Sequence, residues 1–279
     1  MRSLIIAGLL LLFGGTSTGA SVVDPPTREA SYQRLKAKIA AGEAVVVHVM
    51  LALCDNDNQG IIPVSAALGN GLDLKSNLYW GARYGLKSHF KRSKEWELLK
   101  ESDNPAENVL ERVVFSRSYP NGAHVLLVAD AYRGDRMKEC IVAFFDAVSG
   151  RKQEELKLSN QTIVTAGGAD LIVFNGHNGL MDYPYLKFLK SADKIQRETA
   201  VIGCRSKAYF NTHLLSAGGY PLLMTTDLMA PEAYVLQGLL DSWATEKDGA
   251  TIRQSVGAAY HEYQKCGLRG ATRLFSTGW

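Results

Sequence analysis

His177 and Cys204 are the two residues whose types and positions are best suited to covalent chemistry. Each follows a short apolar segment, Leu171–Phe174 before the histidine and Thr199–Ile202 before the cysteine. A thiol is nucleophilic as its thiolate, and a nearby imidazole can take the thiol proton. The pair therefore predicts nucleophilic catalysis by a His/Cys dyad, provided that the fold brings the two side chains together.

Glycine lies close to both residues. Gly203 directly precedes Cys204, and Gly179 follows His177 after one intervening residue. A position without a side chain lets a substrate backbone approach closely, and free backbone N–H groups beside a nucleophile can stabilise an oxyanion. We expect the N–H groups of Cys204 and of Asn178 or Gly179 to have that role.

Apolar strands alternate with amphipathic helices along most of the chain. Strands are predicted at Ala44–Leu53, Leu171–Phe174, Thr199–Ile202 and Pro221–Thr225. Helices are predicted at Thr27–Ala41, Asp135–Val148, Tyr185–Ala192, Lys207–Ala217, Pro231–Thr245 and Thr251–Lys265. This alternation predicts an α/β fold, a three-layer sandwich in which helices flank a mostly parallel sheet. Consecutive parallel strands joined by a crossover lie side by side, so His177 and Cys204 are expected at one sheet edge.

Two other regions have distinct patterns. Val109–Arg117 and His124–Tyr132 flank a turn sequence at Tyr119–Gly122 and predict a hairpin. The charged segment Glu95–Asn108 has no clear apolar face and is interpreted as a solvated helix or linker.

The arrangement resembles that of the caspase-like cysteine peptidases of clan CD, in which the histidine follows one buried strand and the cysteine ends the next. Phe174–His177 and Val201–Cys204 carry this resemblance, and Ser216–Thr226 with the two helices after it is most similar to bacterial CHAT domains. The family usually has glycine directly after the histidine, where this chain has Asn178. The resemblance implies one caspase-like α/β domain over residues 21–279 and cysteine endopeptidase activity. That mechanism requires neither a metal nor an organic cofactor.

The resemblance also indicates where the substrate side chain would bind, because residues just past the first buried strand help to line that pocket. Asp55 or Asp57 would there favour lysine or arginine, since a carboxylate in a closed pocket pairs well with a guanidinium; solvated turn residues are the alternative. Asp227 is a second candidate carboxylate, or a helix cap. Trp80, in the glycine-rich loop Asn77–Gly85, either forms a peptide-binding wall or packs locally.

Two other functions stay open at this point. One is a catalytically silent caspase-like module that binds a partner at the same cleft through Trp80 and its neighbours. The other is metal-assisted hydrolysis, with His177, Asp182 and a loop carboxylate as ligands. A calcium-binding EF-hand that begins at Asp55 is rejected, because Ala66 stands where the bidentate glutamate is needed.

The N-terminus predicts export. Residues 1–20 combine a basic start, an apolar run at Leu4–Phe13 and small residues up to Ala20, the pattern of a signal peptide. No later segment approaches the roughly twenty apolar residues that span a bilayer. We therefore expect a periplasmic or secreted protein without stable membrane insertion after signal removal. The net charge of +3 argues against a nucleic-acid partner, so the expected partner is a peptide or protein substrate.

The expected export bears on the four cysteines, because exported proteins can form disulfides. Cys54, Cys140, Cys204 and Cys266 form an even set, and two disulfides are the default expectation in an oxidising compartment. A nucleophilic Cys204 must stay free, which would leave at most one disulfide. Four free thiols are the remaining alternative.

Overall fold

The structure is a computed structural model that describes residues 25–279. The signal peptide predicted over residues 1–20 lies outside the described residues. The helices in the described part are α1 (Glu29–Ala40), α2 (Leu86–Arg92), α3 (Met137–Val148), α4 (Ser206–Ala217), α5 (Ala233–Ala244), α6 (Gly249–Gln264) and α7 (Leu268–Leu274). The strands are β1 (Ala44–Ala52), β2 (Glu97–Ala106), β3 (Val109–Ser118), β4 (His124–Tyr132), β5 (Gln153–Lys157), β6 (Thr162–Ala166), β7 (Leu171–Asn175), β8 (Arg197–Ile202), β9 (Gly219–Thr225) and β10 (Phe275–Ser276).

One large sheet organises the molecule. Eight strands follow the order β10-β9-β8-β7-β1-β4-β3-β2, while β5 and β6 form a separate hairpin. The central strands β9, β8, β7, β1 and β4 are parallel, and the strands at the two edges are antiparallel. The predicted α/β class with a mostly parallel sheet is therefore confirmed.

Strand β1 lies in the middle of the sheet and is covered on both faces. Successive side chains of a strand point to opposite faces, so Val45, Val47 and Val49 pack in one core with residues of α1, α5 and α6. Val46 and Met50 pack in the other core with residues of α3 and α4. Helices thus lie on both faces of the sheet, which gives three layers. Within residues 25–279, no helix combines the length and the apolar character needed to span a bilayer.

The predicted helix at Tyr185–Ala192 is wrong. This part of the β7–β8 connection is a loop that follows a short 3-10 turn at Gly179–Met181. Tyr185 stacks on Phe145 with ring centroids 4.9 Å apart, whereas Leu186 and Phe188 are 81% and 60% exposed. The segment therefore places its apolar residues on different sides instead of on one buried helical face.

The interpretation of Glu95–Asn108 as a helix or linker is also wrong. The segment contains β2, an edge strand that pairs antiparallel with β3. Exposed and half-buried residues alternate along the first part of β2. Charged side chains are common on edge strands because they discourage pairing with another chain. The charge of this segment thus reflects its place at the sheet edge.

A buried ionic cluster connects three neighbouring strands. Arg112 on β3 donates to both carboxylate oxygens of Asp130 on β4, at 2.5 and 2.8 Å. His48 Nε2 on β1 lies 3.1 Å from Asp130 Oδ2, and Arg112 also donates to Glu154 at 2.6 Å. Burial alone would raise the pKa of Asp130, but the hydrogen bonds from Arg112 and His48 outweigh it and lower the pKa from 3.8 to about 2.

We expect Asp130→Asn to lower the free energy of unfolding at pH 7 by about 3 kcal/mol, because it leaves Arg112 buried without its bidentate partner. The lowered pKa of Asp130 means that its stabilisation is complete above the unfolded pKa and is lost as the pH falls towards about 2. Urea unfolding at pH 7 and pH 3 measures both effects. Asp103→Asn, on the exposed side of β2, is the control and should change little. Equal unfolding free energies for Asp130→Asn and the wild type would contradict the prediction.

Candidate active site

His177 and Cys204 line one cavity of about 500 Å³. Strand β7 pairs in parallel with β8, and Asn175 lies opposite Ile202 where both strands end. The cavity is built from the loops that follow the carboxyl ends of β1, β7, β8 and β9, the usual location of ligand sites in open α/β sheets. The structure therefore brings the two reactive residues to one site, as the sequence predicts.

The two loops meet at their glycines. The Gly176 N–H donates to the Ile202 carbonyl at 3.0 Å, and a Cβ added at Gly203 would lie 2.7 Å from the Gly176 carbonyl oxygen. No side chain fits in that gap, because the atom it would meet is backbone. Gly176 also has a φ of +133°, a conformation that other residues rarely adopt. These glycines allow the two loops to lie in direct contact.

Asn178 connects the two loops through its side chain. Its Nδ2 group donates to the Cys204 carbonyl at 2.7 Å, and its Oδ1 atom accepts from the Leu180 N–H at 3.1 Å. Asn178 is fully buried, so the amide is not available to a ligand. The residue that departs from the family pattern thus holds the cysteine loop against the histidine loop.

The expected oxyanion donors are not equivalent. The Gly179 N–H donates to the His177 carbonyl at 3.1 Å and is therefore occupied. Within residues 25–279, the N–H groups of Asn178 and Cys204 have no protein acceptor. The structure corrects the expected set: Gly179 is occupied, and Asn178 is fully buried and outside the cavity lining, which leaves Cys204 as the candidate donor.

A carboxylate orients His177. The imidazole Nε2 lies 2.7 Å from Asp182 Oδ2, and the same oxygen accepts the Gly60 N–H at 3.0 Å. Nε2 is thus engaged, whereas Nδ1 has no hydrogen-bond partner within residues 25–279. Sequence reasoning considered Asp182 as a metal ligand and missed this role. Asp182 lies five residues after His177 in the sequence. The sequence alone does not predict the loop conformation that returns the Asp182 carboxylate to the imidazole.

Cys204 lies just before helix α4. The Met229 N–H donates to Cys204 Sγ at 3.3 Å, and the thiol lies 3.4 Å from the Met229 carbonyl oxygen. Arg205, with a φ of +50°, forms the N-terminal boundary of α4. The Met229 backbone thus contacts the Cys204 thiol through both its N–H and its carbonyl group, which fixes the position of the sulfur just before α4.

The residues predicted to line the substrate pocket lie elsewhere. Asp55 Oδ1 accepts the N–H groups of Asp57 and Asn58 at 2.9 and 3.1 Å, so its carboxylate caps its own loop. Asp57 lies in the same loop and also outside the cavity. Trp80 is 0% exposed; its Nε1 donates to Glu111 at 2.6 Å. Trp80 therefore packs in the core and cannot form a peptide-binding wall.

Asp227 is exposed and also outside the cavity lining. Its carboxylate accepts the Leu228 N–H at 2.9 Å. Glu232, and not Asp227, is the N-terminal boundary residue of α5. Asp227 thus neither lines the pocket nor caps that helix.

Other residues line the cavity in their place. Apolar side chains supply most of the wall: Ile61, Ile62, Val64, Leu78, Met181, Leu228, Met229, Ala230 and Pro231. Tyr79, Glu232 and Gln264 add polar groups, and Cys54 is a second thiol. Burial raises the pKa of Tyr79 well above 10, so its hydroxyl stays neutral.

All four cysteines are free thiols, and the expected pair of disulfides is therefore wrong. Cys54 and Cys140 are buried, Cys204 is partly exposed and Cys266 is exposed. Burial, together with the neighbouring Asp55 carboxylate, raises the pKa of Cys54 to about 11 although the Tyr79 hydroxyl opposes the shift. The thiol of Cys54 is thus protonated at neutral pH.

Within residues 25–279, no group of three or more His, Cys, Asp or Glu side chains is placed to share a metal ion. His177 and Asp182 therefore lack the loop carboxylate that the metal alternative requires. The chain matches no protein-family model, no curated protein and no solved structure. Its membership of the caspase-like peptidases stays a prediction from the motifs.

Iodoacetamide at pH 7 should modify Cys204 and Cys266 in the native protein and leave Cys54 and Cys140 unmodified, because burial protects those two thiols and opposes their ionisation. Mass spectrometry of peptides from the labelled protein gives the result for each cysteine. Denaturation in urea without a reductant serves as the control and should make all four thiols reactive. Finding fewer than four thiols in that sample would show that a disulfide exists.

Proposed function

We propose that the chain is an exported caspase-like cysteine endopeptidase, with Cys204 as nucleophile, His177 as general base and acid, and Asp182 as the residue that positions His177. One observation carries the proposal: His177 and Cys204 share a cavity beyond adjacent parallel strands. A nucleophile, a base and a group that orients the base are the three parts needed for acyl transfer.

The residues can complete a balanced hydrolysis. His177 takes the thiol proton of Cys204, and the thiolate attacks the carbonyl carbon of the scissile peptide bond. The N–H group of Cys204 binds the resulting oxyanion. The imidazolium then protonates the leaving amine as the C–N bond breaks, which leaves a thioester on Cys204. His177 next removes a proton from water, the hydroxide displaces the thiolate from the thioester, and the imidazolium returns the proton to sulfur.

The cavity suits a peptide. Its volume of about 500 Å³ is within the range of roughly 300–1,000 Å³ that is usual for ligand pockets. The mostly apolar wall would exclude water around the thioester and strengthen the polar interactions made inside. The silent binding module would use Trp80 and its neighbours. Trp80 is buried and is lost as an anchor, whereas Leu78 and Tyr79 of the same loop line the cavity.

Cys204→Ala should lower hydrolysis of a fluorogenic peptide library by about a thousandfold or more, because it removes the nucleophile. Cys266→Ala, which removes an exposed thiol outside the cavity, is the matched control and should keep wild-type activity. A peptidyl acyloxymethyl ketone should label the wild type and not Cys204→Ala. Equal hydrolysis by the wild type and Cys204→Ala would exclude Cys204 as the nucleophile. A folded wild-type protein that neither hydrolyses peptides nor reacts with the probe would favour the binding module.

Asp182→Asn should lower kcat by about tenfold or more and change KM little, since Asp182 touches His177 and not the substrate. Gly60→Ala should lower kcat as well, because its Cβ would collide with the Asp182 carboxylate. Steady-state kinetics measure both effects. Gly270→Ala is the control, as a Cβ there meets nothing within 4 Å. A wild-type kcat for Asp182→Asn would exclude a positioning role for that residue.

A further inference from the structure

The cavity that contains Cys204 carries one fixed charge. Among the described residues that line it, Glu232 is the one carboxylate, and none is lysine or arginine. The rest of the wall is mainly aliphatic. A negative charge in a mainly apolar cavity is complementary to a long side chain that carries a positive charge.

Glu232 is held in place by one of its two oxygens. Its Oε2 atom accepts the Tyr234 hydroxyl at 2.8 Å and the Gln264 Nε2 group at 3.3 Å. The Tyr234 ring is itself stacked on Tyr263, with centroids 4.2 Å apart and planes within 3°. These contacts fix the direction of the carboxylate at the start of α5.

The second oxygen of Glu232 is free. Within residues 25–279, Oε1 has no hydrogen-bond partner, and Glu232 forms no ion pair with lysine, arginine or histidine. A carboxylate accepts several hydrogen bonds when ionised. Glu232, which lines the cavity, therefore keeps unused hydrogen-bonding capacity, and no cation of the described residues competes for it.

Tyr79 lines the same cavity as Glu232. Burial raises the pKa of its hydroxyl well above 10, so the hydroxyl stays neutral and adds no charge to the cavity beyond that of Glu232.

We propose that the cavity binds a lysine or arginine side chain of the substrate and that Glu232 is the residue that selects for it. The methylene groups of that side chain would contact Ile61, Leu78 and Pro231, and the charged end would bind Glu232 Oε1. This inference rests on the proposed peptidase function. It assigns to Glu232 the role that the sequence suggested for Asp55, Asp57 or Asp227.

Paired peptides with and without the positive charge test the proposal. Arginine is compared with citrulline, and lysine with norleucine, at the residue before the scissile bond. The wild type should cleave the arginine peptide with a kcat/KM about tenfold or more above that of the citrulline peptide, as expected for a charge-assisted hydrogen bond. Glu232→Gln should remove that preference, because glutamine keeps the shape and loses the charge. Glu262→Gln removes a charge from an exposed residue outside the cavity and should keep it.

Binding to an inactive variant separates this inference from the peptidase function. Calorimetry with Cys204→Ala should show about tenfold tighter binding of the arginine peptide than of the citrulline peptide. The double variant Cys204→Ala/Glu232→Gln should show no difference. Equal binding of the two peptides to Cys204→Ala, or a preference that survives Glu232→Gln, would overturn the inference even where Cys204-dependent cleavage is observed. Loss of cleavage with selective binding retained would instead overturn the peptidase function alone.

Discussion

The parallel pairing of β7 with β8 is the interaction on which the candidate site depends. In this pairing both strands end at the same edge of the sheet, with Asn175 opposite Ile202. The loops that follow can then touch, and the hydrogen bond from Asn178 to the Cys204 carbonyl joins them. Because backbone and a fully buried amide hold the two loops, the positions of His177 and Cys204 do not depend on long, flexible side chains. Such rigid support keeps reacting groups in a productive geometry.

The sheet fixes the positions of the loops, and the loops carry the residues of the candidate site. Strand β1 is buried on both faces and pairs with β4 on one side and β7 on the other. This pairing fixes where β1 ends, and therefore where Cys54 and the loop that contains Gly60 lie. Gly60 then reaches Asp182 through a backbone N–H. The loop after β9 contributes Met229 to Cys204. Residues from four separate strand ends are thus coupled through backbone hydrogen bonds, so their relative positions follow from the order of the strands.

The central strands could be predicted because burial on both faces requires continuous apolar runs, as in Ala44–Leu53 and Leu171–Phe174. The edge strand β2 could not be predicted, because its charged residues are exposed to water and give it the sequence pattern of a surface linker. His177, Cys204 and Asn178 were found because each lies within three residues of a buried strand. Trp80 was misplaced and Glu232 was missed, because the path of a long loop decides whether a side chain enters the cavity. That path is set by distant contacts such as the hydrogen bond from Trp80 to Glu111. Asp55 lies just past a buried strand, but its carboxylate binds the N–H groups of its own loop.

The two carboxylates of the site, Asp182 and Glu232, differ in their position relative to the cavity. Each uses one oxygen for two hydrogen bonds: Asp182 Oδ2 contacts the imidazole of His177 and the Gly60 N–H, and Glu232 Oε2 contacts Tyr234 and Gln264. Glu232 lines the cavity, whereas Asp182 does not. A cationic substrate group in the cavity would therefore bind Glu232 and leave Asp182 on the imidazole. In the proposed mechanism this separation matters, because a substrate that competed for Asp182 would release the histidine on which both proton transfers depend.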